Sequence, residues 1–302
     1  MESIQQIING LALGAIYALI ALGYTMVYGV LRFINFAHSD VLMLGAFAAF
    51  YLTPQIAPMT GTESLTTAML VILFSAVICA CIGMLIEFLA YRPLRNRPRL
   101  TVLITAIGVS LFIEFTGQHK AVFGAATQPF PKLLPKKELI FGSLHVSSND
   151  LVVLVLTGVL LAILWFIVQK TKIGMAMRAV SFNEQAASLM GVNVNAVISF
   201  TFALGSAMAA IAGIFYSMRA PGIEPLMGIQ PGLRAFIAAV LGGIGNLPGA
   251  ALGGVVLGLL ETVFGGLPAL SNYRDGIAFA ILILILLFRP AGLLGKAQIE
   301  KV

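Results

Sequence analysis

The 302-residue chain offers little reactive chemistry. Its two cysteines, Cys79 and Cys81, stand two apart in one apolar run. On a helix that spacing turns them to different faces, so they read as small buried residues rather than a disulfide or a metal pair. Three scattered histidines, with no HExxH, CxxC or GxSxG, leave no usual zinc or nucleophile site. The only Gly-Lys pair is Gly295-Lys296. A phosphate-binding loop would need glycine where Pro290 stands and a hydroxyl where Ala297 stands. The expectation is a chain that is not an enzyme, binds no cofactor or metal, and hydrolyses no ATP by itself.

The ionisable groups that remain stand out by their surroundings. Glu87, Glu114 and Glu261 interrupt apolar runs, and His38 and Asp40 open another. A charge inside a membrane is costly, so each is a functional candidate. Glu87, five residues before Arg92, either snorkels or pairs, and Glu114, near a run's outer end, can reach the interface. Anchoring is the expected role of both. Glu261 lies in a glycine-rich segment and serves either packing or a pathway. No chain of ionisable groups crosses the bilayer, so a proton pump is not expected and the energy source lies elsewhere.

The elements that position these residues follow from composition. The chain is 59% hydrophobic and 10% charged, with mean hydropathy +1.00. Soluble domains are nearer half apolar and a quarter charged. A soluble enzyme, a nucleic-acid binder and a disordered chain are thereby excluded, and the fold class is an all-α, polytopic transmembrane bundle forming one domain over 1–302. Long apolar runs at 7–30, 65–91, 101–118, 151–168, 196–218 and 271–288 suit crossings of about 20 residues. Runs 41–52, 233–241 and 249–264 are short. About eight segments are expected, with 233–264 either two short crossings or a re-entrant hairpin. The run 7–30 is too long for a signal h-region and reads as a retained span.

The net charge of +6 sits in bursts between runs. Four arginines crowd Arg92 to Arg99, Lys170, Lys172 and Arg178 follow the run ending at 168, and Arg289, Lys296 and Lys301 mark the tail. Basic loops mark the cytoplasmic side. All three are cytoplasmic together if the N-terminus is outside and the C-terminus inside. The stretch 119–150 is then an outer loop with room for short strands or turns. Ser147-Ser148-Asn149-Asp150 reads as a helix N-cap cluster.

Two interruptions divide the runs. The first, Arg32 to Asp40, contains Asn35, His38 and Ser39, which can satisfy irregular backbone at membrane depth. Ser39 or Asp40 is also a fitting helix cap. The second is Leu241-Gly242-Gly243-Ile244-Gly245-Asn246-Leu247-Pro248-Gly249, where glycines and Pro248 split one region into half-helices. Paired broken helices in two halves mark a transporter's substrate path. A span precedes each interruption, and the two spans run in opposite directions, which suggests an inverted repeat. Asn35, His38, Asp40, Gly242, Gly243, Asn246, Pro248 and Glu261 are the candidate path or gate residues. The spacings Gly10/Gly14, Gly249/Gly253 and Gly254/Gly258 allow close helix packing or a dimer face.

The longest cytoplasmic insertion, 169–195, holds a short helix from Ser181 to Met190. Ser181 or Asn183 caps it, and Gly191 ends it by taking a left-handed conformation. Such a helix either docks into a groove on a soluble partner or lies on the membrane.

Gln185-Ala186-Ala187, followed after three residues by Gly191, resembles the EAA-x3-G coupling pattern of ABC importer permeases, with Glu184 standing in for its acidic residue. Leu11 to Leu19, Asn35 to Asp40, Arg178 to Gly191 and Val240 to Ala250 together resemble the H-type permease of branched-chain amino-acid ABC importers. The likeness extends from about residue 5 to Arg289-Pro290-Ala291-Gly292-Leu293-Leu294. Ser39 departs from the glycine expected there. The resemblance implies a bacterial inner-membrane subunit that carries leucine, isoleucine or valine. Its partners would be a second permease (an M-type paralogue or a second copy), two cytosolic ATPases holding ATP and Mg, and a periplasmic or lipid-anchored binding protein, with no nucleic acid. Arg178, Glu184, Gln185, Ala186, Ala187 and Gly191 would couple to the ATPases. Related permeases serve urea, amides or other small solutes, and an ion-coupled secondary transporter is the more distant alternative.

Overall fold

The computed structural model describes residues 2–95, 97–135, 137–141, 144–220, 222–267 and 271–295. The predicted basic markers Lys296 and Lys301 lie outside the described residues, as does Asn96 of the arginine loop. The helices are α1 (Glu2–Leu31), α2 (His38–Thr60), α3 (Leu65–Ile86), α4 (Arg99–Gln118), α5 (Ser148–Lys170), α6 (Lys172–Phe182), α7 (Glu184–Leu189), α8 (Val194–Arg219), α9 (Ile229–Gly242), α10 (Leu247–Gly265) and α11 (Arg274–Phe288). A π-helical turn, Glu87–Tyr91, and a 3-10 turn, Arg92–Leu94, extend α3. One antiparallel hairpin, β1 (Glu138–Phe141) with β2 (Leu144–Ser147), precedes α5.

Seven of the described helices are long and apolar enough to cross a membrane, and α9 and part of α11 are shorter apolar helices. Burial sorts them. In α1 and α8, 72% of the most apolar window is buried, against 22% in α4 and α5. So α1 and α8 form the centre, while α4 and α5 turn Phe112, Phe115, Val155 and Phe166 outward, as lipid-facing helices do.

Between apolar helices in lipid, close backbone contact replaces the hydrophobic drive. A Cβ added at Gly14 would meet the Val255 backbone at 2.8 Å, and one at Gly254 or Gly258 would strike α1 at Ala18 or Gly14. On α10, Gly249 and Gly253 instead meet Gly242 and Ala238 of α9. The GxxxG faces are therefore consumed by packing within the chain.

The run 41–52 is part of a full 23-residue helix that includes Pro54 and Pro58. Each proline costs a backbone hydrogen bond, but both lie in the exposed or half-exposed second half of α2, and Thr53 returns a bond to Ala49 O at 2.6 Å. The segment 233–264 is a hairpin of unequal arms: α9 has 14 residues and α10 has 19. The cluster 147–150 does start α5, with Ser147 at the cap position, but Ser147 makes no capping bond, and Asp150 pairs with Arg219 of α8 at 2.9 Å.

The basic segments gather at one end. Arg95 reaches Asn195 at 3.0 Å, and Arg32 reaches the Ser181 carbonyl at 3.1 Å. Residues 289–295 fold back on the α9–α10 turn, with Leu293 N–H donating to Leu241 O at 2.8 Å and Leu294 N–H to Gly242 O at 3.0 Å.

Candidate functional site

After α1 the chain breaks at 32–37, where Arg32 takes a left-handed φ of 55°. Helix α2 then starts inside the bundle. His38 is fully buried, with Nε2 3.2 Å from Ile20 O and its ring 4.6 Å from that of Tyr24. Asn35 Oδ1 accepts from Tyr91 OH at 2.6 Å. The Ser110 hydroxyl donates to Asp40 Oδ2 at 2.5 Å, and Glu114 on the same helix α4 is within hydrogen-bonding reach of Asp40. Glu114 is therefore turned into the protein, 8% exposed, instead of reaching the interface.

The capping expectation is overturned here. The cap position is Ala37, with no side-chain bond, and Ser39 and Asp40 already lie in the first turn. The Ser39 hydroxyl donates back to Phe36 O at 2.9 Å. Asp40 has gone to its neighbour α4 because a buried carboxylate needs donors, and Ser110 supplies one.

Opposite Ser39 lie Gly228 and Gly232, where α9 begins. An added Cβ on either would collide with the Ser39 backbone or side chain. The starts of α2 and α9 thus touch within the bundle. The break matching 32–37, in that it precedes the helix meeting α2, is the stretch 222–228, tied down where Gln128 and Ile223 exchange backbone bonds of 2.8 Å. The glycine-rich turn at 242–246 is not its counterpart. There Gly243 and Gly245 have φ of 107° and 92°, a region that favours glycine. Asn246 caps α10 through Gly249 N–H, Pro248 sits in the first turn, and Asn246 Nδ2 donates to Leu294 O at 2.6 Å.

Glu261 is held by Arg234, a residue that sequence reading passed over inside an apolar run. Arg234 Nη1 lies 2.7 Å from Glu261 Oε1, Tyr17 OH donates to Glu261 Oε2 at 2.7 Å, and Arg234 Nη1 donates to Tyr17 OH at 3.1 Å. This triad ties the short helix α9 to α1 and α10. Glu87, fully buried, takes Arg92 at 3.1 Å, Arg95 at 2.6 Å and the Ser199 hydroxyl at 2.7 Å, so of the two alternatives, snorkelling and pairing, it pairs.

The predicted short helix proves to be two. Helix α6 runs to Phe182, and Asn183, whose side chain accepts from Ala186 N–H, caps α7. Gly191 has φ 84°, as its C-terminal role requires. Glu184, Gln185 and Ala186 are exposed, while Ala187 is buried. Arg178 is on α6 and bonds the Val168 carbonyl, away from that group. It borders a cavity of about 450 Å³ with Thr25, Arg32, Met177, Asn246 and Pro248. So Arg178 joins the α9–α10 turn, not the α7 cluster.

Among the described residues no three of His, Cys, Asp or Glu are placed to hold a metal ion. Broken helices that meet inside a many-helix apolar bundle define a multi-pass membrane permease. Residues 6–286 match the family described as branched-chain amino acid transport system / permease component, and the chain belongs to that family. It is 41% identical to the high-affinity branched-chain amino acid transport system permease protein BraD of Pseudomonas aeruginosa, over 99% of this chain and 98% of the relative. It is 38% identical to LivH, the permease protein of the same name, from Salmonella typhimurium and from Escherichia coli K12, over 99% of this chain and 97% of each relative.

Proposed function

We propose that this chain is the H-type permease subunit of an ABC importer that carries leucine, isoleucine and valine across the bacterial inner membrane, driven by separate ATPases. The observation that carries the reading is α7. Phe182, Leu189 and Met190 beside it are 88%, 89% and 84% exposed, although they lie among arginines at the basic end of the bundle. Large apolar residues on a short, capped helix suit a groove on a soluble partner. The basic end faces the cytoplasm by the positive-inside rule, with the N-terminus outside.

The partners are a second permease, an M-type paralogue or another copy, two ATPases binding ATP and Mg, and a binding protein on the outer side. ATP-driven closure of the ATPases rotates α7, and rigid-body rocking alternates access. Asn35, His38 and Asp40 at the start of α2, with Gly242, Gly243, Asn246, Pro248 and Glu261 on α9–α10, line or gate the path. Neutral zwitterions need little fixed charge along such a path, so selectivity resides mainly in the binding protein.

The test is reconstitution in vesicles with and without the ATPases, offering labelled leucine and urea. Leucine uptake that requires ATP, the ATPases and the binding protein is the expected result. Uphill uptake by the permease alone, driven by an ion gradient, sinks the proposal, and urea uptake without leucine uptake replaces its substrate.

A further inference from the structure

Arg95 lies in the arginine loop that marks the cytoplasmic side. Its guanidinium is 11% exposed and makes three contacts. One arm meets the fully buried Glu87 at 2.6 Å. The other donates to Asn195, in the first turn of α8, at 3.0 Å and lies 3.9 Å from Glu184, the first residue of α7. Glu87 opens the π-helical turn that ends at Tyr91, and Tyr91 OH donates to Asn35 in the break before α2. π-helical turns are frequent at functional sites. A connected line therefore runs from α7 through Arg95 to Glu87, along the π-helical turn to Tyr91, and by its hydroxyl to the break that starts α2 inside the bundle.

The contacts differ in strength along this line. The Glu87 end is dry and satisfied by two guanidiniums and a hydroxyl, so it is rigid. The Glu184 end is half exposed and, at 3.9 Å, contributes little at rest. It is the joint that can tighten when α7 moves.

We propose that Arg95 is the positioning residue that transmits displacement of α7 to the α1–α2 break, so that ATP use and opening of the path stay linked. This rests on the docking role of α7 proposed above. A purely structural Arg95 would hold Glu87 and nothing more. A transmitting Arg95 also governs how much solute moves per ATP.

The experiment uses the full complex in vesicles, with leucine uptake and ATP hydrolysis measured on one preparation. For Arg95→Gln, hydrolysis stays within about twofold of wild type while uptake per ATP falls roughly tenfold, within the usual span of coupling free energies. Arg95→Lys keeps the charge beside Glu87, cannot fork to α7 and α8 together, and recovers part of the ratio. Should Arg95→Gln fail to assemble, Asn195→Ala, which leaves Glu87 paired, is read by the same ratio and lowers it. An unchanged ratio in every variant that assembles overturns the proposal. Leu189→Asp is measured alongside. If it leaves ATPase binding intact, the docking reading itself fails. If it abolishes binding while Arg95→Gln keeps the wild-type ratio, only the role of Arg95 falls.

Discussion

Replacing Arg234 by glutamine takes the guanidinium from the Glu261 carboxylate, which among the described residues keeps its hydrogen bond from Tyr17. The guanidinium it loses stands 2.7 Å away. At an effective dielectric near 20 the gross attraction at that distance is about 6 kcal/mol. Most of it offsets the desolvation of the two ions, yet breaking such a pair from one side costs roughly 3–5 kcal/mol because a charge is stranded. The side chains are 18% and 9% exposed, so the lower part of that range applies. A loss of about 3 kcal/mol lowers the melting temperature by roughly 5 °C in a chain of this size. Arg234→Gln with Glu261→Gln removes both charges and recovers most of the loss. The protein carries its own probe: Cys79 is buried on α3 and Cys81 is exposed. In a Cys81→Ser background, a thiol-reactive dye reports only unfolding that uncovers Cys79. If the single variant melts with the wild type, or the double variant melts below the single, the triad does not anchor α9.

Gly254→Leu drives a side chain into the α1 backbone at Ala18 and abolishes stable insertion, read by protease resistance in membranes, whereas Gly108→Ala, with nothing within 4 Å of the added carbon, is neutral. Asn246→Ala removes both the α10 cap and the bond to Leu294 O. It costs about 1–2 kcal/mol and raises backbone amide exchange at Leu293 and Leu294.

Local signals were legible in the sequence and distant partners were not. Asn183 and Gly191 announce a cap and a stop, and the structure bears out both, because each acts within a turn of itself. Glu87 and Arg92 are five apart, near enough for a pair to be read. Arg234 was missed because its acid is 27 positions further on and its phenol 217 back. The length of α2 was missed because Pro54 and Pro58 look like terminators, yet an exposed helix flank tolerates them. The counterpart of the first break was missed because 222–228 reads as an ordinary loop. Its depth is set by α8 and by the Ser39 contact, neither of which leaves a local pattern. Ser39 itself, where the family resemblance led one to expect glycine, is accommodated because Gly228 and Gly232 opposite it supply the missing room.

These placements bear on how a motion at the basic end reaches the interior. Helices α3 and α8 are locked at their basic ends by Glu87 and Ser199, and higher up Gly83 lies against Ser206 and Phe202. They move as one body. Helix α2 is pinned to α8 where Gly45 meets Ala210 and Gly213 meets the Leu42 carbonyl, while His38 at its start also touches α1 through Ile20 O. Helix α9 is pinned elsewhere, to α1 and α10 through Arg234, Tyr17 and Glu261. Along with the α1–α8 contact at Gly23 and Gly205, the contact between Ser39 and Gly228–Gly232 is therefore a seam between two anchored groups, and relative rocking loads it. Gly232→Ala sets a methyl against Ser39 at that seam. The added carbon collides with the Ser39 side chain, so the melting temperature falls, and leucine uptake by the folded protein slows as well; a lowered melting temperature with wild-type uptake means that the seam is static packing.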